Sequence, residues 1–389
     1  MRIAHITQWY NPATGYQENH LPYQQGQLGH EVHIITSTHL RPAKNGQEPV
    51  SFPLGSQEER EVKIERLKGA WVSKARAQIY LRQLNRFLAA LNPDVVHAHG
   101  LWTTPSLELL FHKKPDYRFF VDDHVDDDNL ALHRWQTRLR VAIFKLFFLP
   151  ILEKRVVKFI SVNPFSKQFL INEFNLPTNK VELLPLGIDI DTYFPEPSFR
   201  QEYRIRLKLA PNEILVVTSG NIGPTKGVDL LIEAVGNLNR TIDNLKLLIV
   251  GRGSREYMSY LNRLMSEQGL SEDKVRFHNW VTQQELCKIY NAADVAVMPK
   301  KLGGIKEALG VGLPLIVAEH PATSYFVKNG NGATFERDNP HALEAALRKY
   351  MVDPELRKHH GQLSLEFVNS ELSWKRIATQ SIEIYNQTA

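Results

Sequence analysis

Short apolar segments alternate with helical patterns along the whole chain, and this alternation constrains the fold most strongly. In the first half, apolar runs that end in polar or glycine-containing loops are predicted as strands: RIAHIT, GHEVHIIT, PDVVHAHG, YRFFVDDH and KFISVN. Helical patterns separate them, beginning with residues 17–28. Strands that alternate with helices are typical of a parallel sheet with right-handed crossovers.

The same pattern begins again in the second half. The strands predicted there are ILVVTSG, LKLLIVGRG, VRFHNWV, DVAVMP and PLIVAEH. Residues 183–200 are rich in Pro and Asp and are predicted as a linker. A chain of 389 residues is also longer than chains that usually form a single hydrophobic core, so two domains are expected. We therefore predict an α/β protein with two Rossmann-like domains that face a central cleft. The predicted domains are residues 1–190 and 191–365. A C-terminal helix, residues 366–389, is predicted to pack back on the first domain.

The net charge, the cysteine count and the apolar runs indicate which partners and which cellular compartment to expect. The formal net charge of +5 is mild, so we expect anionic ligands or an anionic membrane surface, and no nucleic acid, as partners. Cys287 is the only cysteine, which excludes a disulfide framework and suits the cytoplasm. The chain begins with a strand pattern rather than a signal peptide. The most apolar run, residues 141–152, is too short to span a bilayer.

Two glycine-containing loops follow strands of the second half. In TSGNIGPTKG, Gly220 ends a strand and Lys226 precedes a helix, where backbone N–H groups and a lysine would attract a diphosphate. In VGRG, Gly251 and Gly253 would let the backbone approach a ligand closely. Taken alone, the two loops are better explained by a solvated lysine and by a plain tight turn.

The segment KKLGGIKEALGVGLP combines a glycine turn with a helix start, and Glu307 is its one carboxylate. This carboxylate could accept hydrogen bonds from two ribose hydroxyls, as acidic residues do in other nucleotide-binding folds. An acid in the first turn also complements the helix dipole, and without further context that explanation is preferred.

Polar residues also follow the strands of the first half. The loop NPATGYQENH follows the first strand, and Gly15 in it could pass close to a phosphate. The segments HAHG, with His99, and VDDHVDDD, with His124, end two later strands and are expected at the same edge of the sheet. A single histidine in such a place is more often structural than catalytic.

Five aspartates raise the question of a metal site: Asp122, Asp123, Asp126, Asp127 and Asp128. Carboxylates at this spacing can bind Mg²⁺ or Mn²⁺. The last three also suit the cap of a following helix. We expect no metal ion here.

Taken in order, these segments resemble family 4 retaining glycosyltransferases, which have the GT-B fold. The resemblance covers nearly the whole chain, and the last two of its pieces are specific in their spacing. The pieces that carry it are GHEVHIIT, NKVELLPLGIDIDTYFP, GPTKGVDLLIEAV, LKLLIVGRG, LCKIYNAADVAVMP and KEALGVGLPLIV.

The resemblance implies three catalytic residues: Lys226 on the donor diphosphate, Glu307 on the nucleotide ribose, and His124 near the primary hydroxyl of the donor sugar. The implied donor-binding set is Gly15, Gly220, Asn221, Lys226, Gly251, Gly253, Val281, Gly303, Gly304, Ile305 and Glu307. First-domain residues would bind the acceptor: Tyr16, Gln17, Glu18 and His99. The donor is a nucleotide-diphosphate sugar, and no further cofactor is implied.

Three positions depart from the family pattern. Asn221 replaces an arginine, Leu186 replaces an asparagine, and Pro299 stands where the first Glu of the family's E-x7-E motif belongs. Loss of the arginine removes a bidentate diphosphate partner. Loss of the glutamate removes a contact to the sugar hydroxyls, which the N–H groups of Gly303 and Gly304 could replace.

We therefore predict a retaining glycosyltransferase that moves a sugar from a nucleotide-diphosphate sugar to a glycan or lipid-linked acceptor, in surface polysaccharide or glycoconjugate synthesis. The alternative is a weakened or inactive GT-B protein that binds a nucleotide, a glycan or a partner enzyme. A nucleotide-sugar 2-epimerase shares the fold, but the pattern around Glu307 argues against it.

Residues 133–158 are basic and aromatic on both sides of an apolar centre. We expect that centre, residues 141–149, to be a core helix packed on the sheet. The basic ends are expected to attach the protein weakly to the cytoplasmic face of an anionic membrane. These ends contain Arg134, Arg138, Arg140, Lys145, Lys154, Arg155 and Lys158.

Overall fold

The computed structural model describes residues 1–12, 15–40, 51–73, 77–112, 116–125, 130, 134–300 and 303–387. The chain divides into two compact units: unit 1 is Met1–Gly187 with Trp374–Ala389, and unit 2 is Ile188–Ser373. Both divisions differ from the predicted boundaries, 190/191 and 365/366. The side chain of Ile188 is buried in the core of unit 2, and its N–H donates to the Leu372 carbonyl at 2.7 Å. Phe367 and Leu372 are buried in that same core, so residues 366–373 belong to unit 2.

Unit 1 is built on one large sheet. Its strands run in the spatial order β10-β9-β8-β7-β1-β2-β4-β3, and every neighbouring pair is parallel except β3 and β4. A separate antiparallel hairpin is formed by β5 and β6. The bounds are β1 Arg2–Ile6, β2 Glu31–Ser37, β3 Gly55–Glu59, β4 Val62–Leu67, β5 Gly69–Ser73, β6 Gln78–Leu81, β7 Val95–His99, β8 Arg118–Asp123, β9 Val156–Ser161 and β10 Val181–Leu183.

The strands of unit 1 form where apolar residues run continuously, because both faces of a parallel sheet are covered. All five predicted strands are present, as β1, β2, β7, β8 and β9. The helices that cover them are α1 Gln17–Gln27, α2 Leu84–Leu91, α3 Thr104–Glu108, α4 Trp135–Phe147, α5 Leu149–Arg155 and α6 Pro164–Phe174.

Unit 2 contains a fully parallel sheet with the strand order β13-β12-β11-β14-β15-β16. Two apolar cores cover its two faces, which explains why strands such as LKLLIV are apolar at nearly every position. The bounds are β11 Ile214–Ser219, β12 Leu245–Val250, β13 Val275–His278, β14 Val295–Met298, β15 Leu315–Ala318 and β16 Gly332–Phe335.

Helices connect the strands of unit 2, and a last helix belongs to unit 1. The helices of unit 2 are α7 Pro197–Arg206, α8 Val228–Asn239, α9 Arg255–Glu267, α10 Gln283–Ala292, α11 Ile305–Gly310, α12 Pro321–Ser324, α13 Pro340–Val352 and α14 Pro354–Phe367. The last helix, α15 Trp374–Tyr385, lies against α1 within unit 1. Trp374 stacks on His20, and Ser381 accepts a hydrogen bond from Gln25. In the part of the chain that the structure describes, no helix has both the length and the apolar character to cross a bilayer.

Candidate functional site

The glycine loops of unit 2 pack against each other at the carboxyl ends of β11 and β12. A Cβ built on Gly251 would lie 1.8 Å from the Gly220 carbonyl oxygen, so only glycine fits there. Ile222 donates its N–H to the Arg252 carbonyl at 2.8 Å, and it also bridges to Gly253. The predicted donor-binding residues Gly220, Gly251 and Gly253 therefore form one joint between neighbouring strands. That joint restrains the backbone of the loop that follows Gly220.

A small pocket, open to solvent, lies between this loop and the end of β14. Gly220, Asn221 and Lys226 line one part of it, and Pro299 lines another. Lys226 belongs to a short 3-10 turn, Pro224–Lys226, which leads directly into α8. A Cβ on Gly303 would lie 3.1 Å from Lys226 Nζ. The structure thus brings the lysine and the glycine turn before α11 together.

A buried tyrosine that the sequence did not suggest holds this glycine turn. Tyr290 of α10 lies 2.6 Å from Ser219 Oγ and donates to the Gly304 carbonyl oxygen at 3.1 Å. Gly304 has a left-handed φ of 68°, and a Cβ there would lie 2.0 Å from the Tyr290 hydroxyl oxygen. Burial raises the pKa of Tyr290 well above its ordinary value, and the Glu307 charge raises it further. Glu307, half-buried on α11, therefore sits within electrostatic reach of the turn.

Two predicted donor-binding residues have side chains that pack in the apolar core of unit 2 rather than in the pocket. Ile305 is buried in the apolar core of unit 2, and Val281 packs against the same core. Only their backbone groups could meet a ligand directly. A third predicted residue, Gly15, lies in unit 1, where it is exposed.

The predicted first-domain residues cluster at the start of α1. Gln17 is buried, and its side-chain oxygen lies 3.1 Å from Nε2 of the exposed His124. Tyr16 is the N-terminal capping residue of α1 and is 68% exposed. The structure therefore places Tyr16, Gln17 and His124 in one neighbourhood, and Glu18 is close enough to His99 to raise the pKa of that ring.

Behind these residues lies a set of buried polar side chains that we call the histidine network. His99 of β7 is only 6% exposed, and both of its ring nitrogens are engaged: Nδ1 lies 2.6 Å from Asp122 Oδ2, and Nε2 lies 3.0 Å from His5 Nδ1. His99 was predicted to bind the acceptor, but in this geometry it has no nitrogen left for one. The network consists of His5, Gln25, His97, His99, Asp122, Ser381 and Tyr385.

The two aspartates of the five-aspartate group that the structure describes, Asp122 and Asp123, are both buried, and their pKa values are shifted in opposite directions. Burial alone would raise the pKa of Asp122, but His99 and His97 lower it well below its ordinary value. Burial and the Asp122 charge raise the pKa of the neighbouring Asp123 to about 8. One carboxylate is thus neutralised by histidines and the other by a proton. The remaining three, residues 126–128, lie outside the described residues.

Three histidines of the network do bring ring nitrogens close enough to suggest a metal ion. One nitrogen each of His5, His97 and His99 lies within 4.8 Å of the others. However, His5 and His99 already bond to each other through these nitrogens. Among the described residues, His97 Nε2 has no hydrogen-bond partner, and it lies 3.4 Å from Asp122 Oδ2.

The helix α4 exposes a continuous apolar surface, which we call the apolar stripe: Trp135, Leu139, Ile143, Leu146 and Phe147. Their spacing of three or four residues places them on one side of the helix. Their exposed fractions run from 45% to 69%. The opposite side carries Val141 and Phe144, which are buried in the core of unit 1. The prediction of a buried centre at residues 141–149 is therefore wrong for this side of the helix.

The basic residues around the apolar stripe fall into two groups. Lys145 donates to the Glu173 carbonyl, Arg155 to carbonyls that include Leu109, and Lys158 pairs with Glu182. These three are engaged within unit 1. The exposed ones are Arg134, Arg138, Arg140 and Lys154, and Arg140 also donates to the Gln136 carbonyl and to Thr137 within its own helix.

Family models match both units. The model described as Glycosyltransferase Family 4 matches residues 23–192, and the model described as Glycosyl transferases group 1 matches residues 199–364. This chain belongs to glycosyltransferase family 4. Its architecture is the GT-B fold, with two Rossmann-like α/β domains that contain parallel sheets.

Several solved structures share this fold along nearly their whole length. A sucrose-phosphate synthase from Thermosynechococcus elongatus has a TM-score of 0.72 at 19% identity, with 99% of this chain and 98% of that chain covered. Anabaena HepE in complex with UDP has a TM-score of 0.72 at 17% identity, with 98% and 99% covered. At such identities the likeness concerns the fold alone.

Curated relatives match over shorter stretches. A GDP-mannose-dependent alpha-(1-6)-phosphatidylinositol monomannoside mannosyltransferase from Mycobacterium tuberculosis is 27% identical over 237 residues, which are 58% of this chain and 60% of that protein. A D-inositol 3-phosphate glycosyltransferase from Streptomyces bingchenggensis is 28% identical over 228 residues, 56% of this chain and 50% of that protein. This family 4 chain thus spans between half and two thirds of the length of these relatives.

Proposed function

We propose that this family 4 protein is an enzyme that transfers a sugar from a nucleotide-diphosphate sugar to a glycan or lipid-linked acceptor, with retention at the anomeric carbon. The observation that carries the proposal is a pocket at the carboxyl ends of parallel strands that Gly220, Asn221 and Lys226 line, with Gly303 close to the Lys226 ammonium. Ligands of open α/β sheets bind at that edge. Surface polysaccharide or glycoconjugate synthesis in the cytoplasm is the proposed setting.

In the proposed reaction, the bond between the anomeric carbon and the diphosphate oxygen breaks while the acceptor oxygen bonds to the same face of the sugar. The acceptor proton passes to the departing phosphate oxygen. Negative charge grows on the leaving diphosphate, and the Lys226 ammonium with nearby backbone N–H groups would stabilise it. Glu307 would accept hydrogen bonds from the ribose hydroxyls. We propose that neither a metal ion nor a cofactor takes part.

The alternative is a binding protein with weak or no turnover. The observation that favours it is Pro299, which lines the pocket where the family places a glutamate. A proline side chain cannot accept a hydrogen bond from a sugar hydroxyl. In the catalytic case, the turn that contains Gly303 and Gly304 takes over this contact through its backbone.

One screen separates the two functions. Purified protein is tested by thermal shift against UDP-, GDP-, dTDP- and ADP-sugars, because a bound donor raises stability by mass action. The donors that bind are then assayed for release of the nucleoside diphosphate, with and without cell-envelope acceptors. Binding with release supports the transferase, and binding without release supports the alternative.

We also propose that unit 1 contacts an anionic membrane through the apolar stripe of α4. Full burial of a Leu, Ile or Phe side chain is worth about 1.5–3 kcal/mol, and the stripe offers five large side chains that are 45% to 69% exposed. The exposed Arg134, Arg138 and Arg140 flank it and would meet anionic headgroups. Apolar insertion, rather than charge alone, therefore dominates the proposed contact. Such a contact would bring the enzyme to a lipid-linked acceptor.

A further inference from the structure

The hydroxyl of Ser381 fixes how the Gln25 side chain is oriented in the histidine network. Ser381 Oγ donates to the Ala378 carbonyl at 2.6 Å, so toward Gln25, 2.8 Å away, its oxygen accepts. The amide nitrogen of Gln25 therefore faces Ser381, and the amide oxygen faces His5 Nε2 at 2.7 Å. An amide oxygen only accepts hydrogen bonds. His5 Nε2 consequently carries a proton.

The other end of the network is fixed by a carboxylate. Asp122 Oδ2 lies 2.6 Å from His99 Nδ1, and an ionised carboxylate only accepts, so His99 Nδ1 carries a proton. Between the rings, His5 Nδ1 and His99 Nε2 lie 3.0 Å apart and share one further proton. The two rings together thus hold three protons on four nitrogens. Two neutral imidazoles hold only two.

The third histidine adds no charge. Gln25 donates its second amide hydrogen to the Tyr385 hydroxyl at 3.3 Å, and Tyr385 then donates to His97 Nδ1 at 2.6 Å. His97 Nε2 keeps the single ring proton and lies 3.4 Å from Asp122 Oδ2. The buried network is therefore neutral as a whole, with one imidazolium and one carboxylate.

We propose that His5 and His99 together carry one positive charge at neutral pH, and that His99 is a positioning residue for the acceptor side of unit 1. Asp122, held ionised by this charge, accepts the N–H of Gly100 at 3.0 Å through Oδ1. That bond fixes the loop at the end of β7. Asp122 also lies two residues before His124, whose ring contacts Gln17. The positioning role rests on the proposed transferase function, whereas the charge does not.

The surroundings place the shared proton on His99. Burial lowers the pKa of His99, but Asp122 and Glu18 outweigh burial and raise it. Burial and the neighbouring rings lower the pKa of His5 well below its ordinary value. The titratable groups around His99 come from five elements: His5 of β1, His97 of β7, Asp122 of β8, Glu18 of α1 and, through His97, Tyr385 of α15.

The charge is tested by nitrogen NMR on the full wild-type chain with ¹⁵N-labelled histidine. We expect both ring nitrogens of His99 to show the protonated signal at pH 7 and to keep it above the pH at which free histidine, with a pKa of about 6.5, loses its proton. Signals are assigned through the backbone, so no variant needs to fold. A neutral His99 ring at pH 7, or a stoichiometric metal ion bound to these nitrogens, overturns the proposal.

The positioning role is tested with Asp122→Asn, which removes the compensating charge at nearly constant shape. We expect His99 to lose its extra proton at a lower pH than in wild type. The alkaline limb of the pH profile of transfer activity should then also move to lower pH. KM for the acceptor should rise about tenfold. Binding of the nucleoside diphosphate without its sugar should stay unchanged, because the candidate donor residues other than Gly15 and His124 lie in unit 2. If Asp122→Asn does not fold, Gln25→Glu should move the same limb to higher pH. An unmoved limb in a folded variant contradicts the role. If the wild type transfers no sugar at all, the proposed function fails and the NMR result still decides the charge.

Discussion

Lys226 is the residue on which the proposed chemistry depends most. Lys226→Ala should lower turnover of the nucleotide sugar by about 10²-fold or more, because a charged group aimed at the leaving diphosphate is lost. Donor affinity should fall as well. Turnover and thermal-shift assays measure both effects. Lys328→Ala is the matched control, since that lysine pairs with Glu371 elsewhere in unit 2. Equal turnover of Lys226→Ala and wild type would remove Lys226 from the mechanism.

Glu307 has two explanations that one substitution separates. Glu307→Gln keeps the shape of the side chain but removes its charge. If the carboxylate binds the ribose hydroxyls, affinity for the nucleoside diphosphate should fall by about 1–3 kcal/mol. Calorimetry measures this difference directly. If the affinity for the nucleoside diphosphate is unchanged, Glu307 only complements the dipole of α11 and does not bind the ribose.

Asp123 makes stability depend on pH in an unusual direction. Its pKa is raised to about 8 in the folded protein, against an ordinary value of 3.8, so the folded state holds a proton that the unfolded state releases. This carboxyl therefore favours folding fully below pH 4, and its contribution is lost as pH rises toward 8.

Asp123→Asn should abolish that dependence, because the amide needs no proton. Denaturant unfolding at pH 5 and pH 8 tests it. The variant should gain about 1–3 kcal/mol relative to wild type between these two values. The hydrogen bond from the His124 N–H, 2.9 Å from Asp123 Oδ1, can be kept by the amide oxygen. A constant difference between the two proteins at both pH values contradicts the raised pKa.

At the level of secondary-structure elements, the apolar stripe of α4 leads to a direct prediction about membrane binding. Leu139→Gln with Phe147→Gln should abolish co-sedimentation with anionic vesicles at moderate salt, because the apolar stripe can no longer insert. Replacement of Arg134, Arg138 and Arg140 by Gln should weaken binding mainly at low salt. The control is Ile205→Gln, an equally exposed apolar residue of α7 in unit 2. Wild-type protein that stays in the supernatant at low salt rules out the membrane contact.

The elements also show what the sequence could predict. Continuous apolar runs reveal buried parallel strands, and β1, β2, β7, β8 and β9 of unit 1 were predicted on that basis. Strands β3 and β4 contain several polar or charged residues, as in GSQEE and VKIERL, so they gave no such signal. The two sides of α4 could not be told apart, because Val141 and Ile143 are equally apolar although only the first is buried.

The candidate site was predictable where it is local in sequence and not where it is assembled from distant segments. Lys226 and the glycine loops stand next to their strands in the sequence, and the family resemblance, not spacing alone, singled them out. Tyr290 reaches Ser219 from 71 residues away, and Gln25 meets Ser381 across 356 residues. No local pattern indicates such pairs. For the same reason the predicted acceptor role of His99 overlooked its buried partners.

At the scale of the whole molecule, the proposed mechanism works without a divalent cation. Transfer activity should survive excess chelator, because Lys226 and backbone N–H groups supply the positive charge at the diphosphate. The measurement is the turnover rate with and without EDTA on the same preparation. Activity that disappears in EDTA and returns with Mn²⁺ or Mg²⁺ contradicts this and points back to the carboxylates near residues 122–128.

The central claim is that this family 4 chain turns over a nucleotide sugar in the pocket that contains Lys226. The most direct measurement is release of nucleoside diphosphate from UDP-, GDP-, dTDP- and ADP-sugars by wild type and Lys226→Ala in the same assay. We predict that wild type releases nucleoside diphosphate from at least one donor above the rate in buffer, and that the variant is slower by about 10²-fold or more. Donor binding without any release, equal for both proteins, would contradict the claim and leave the binding-protein alternative.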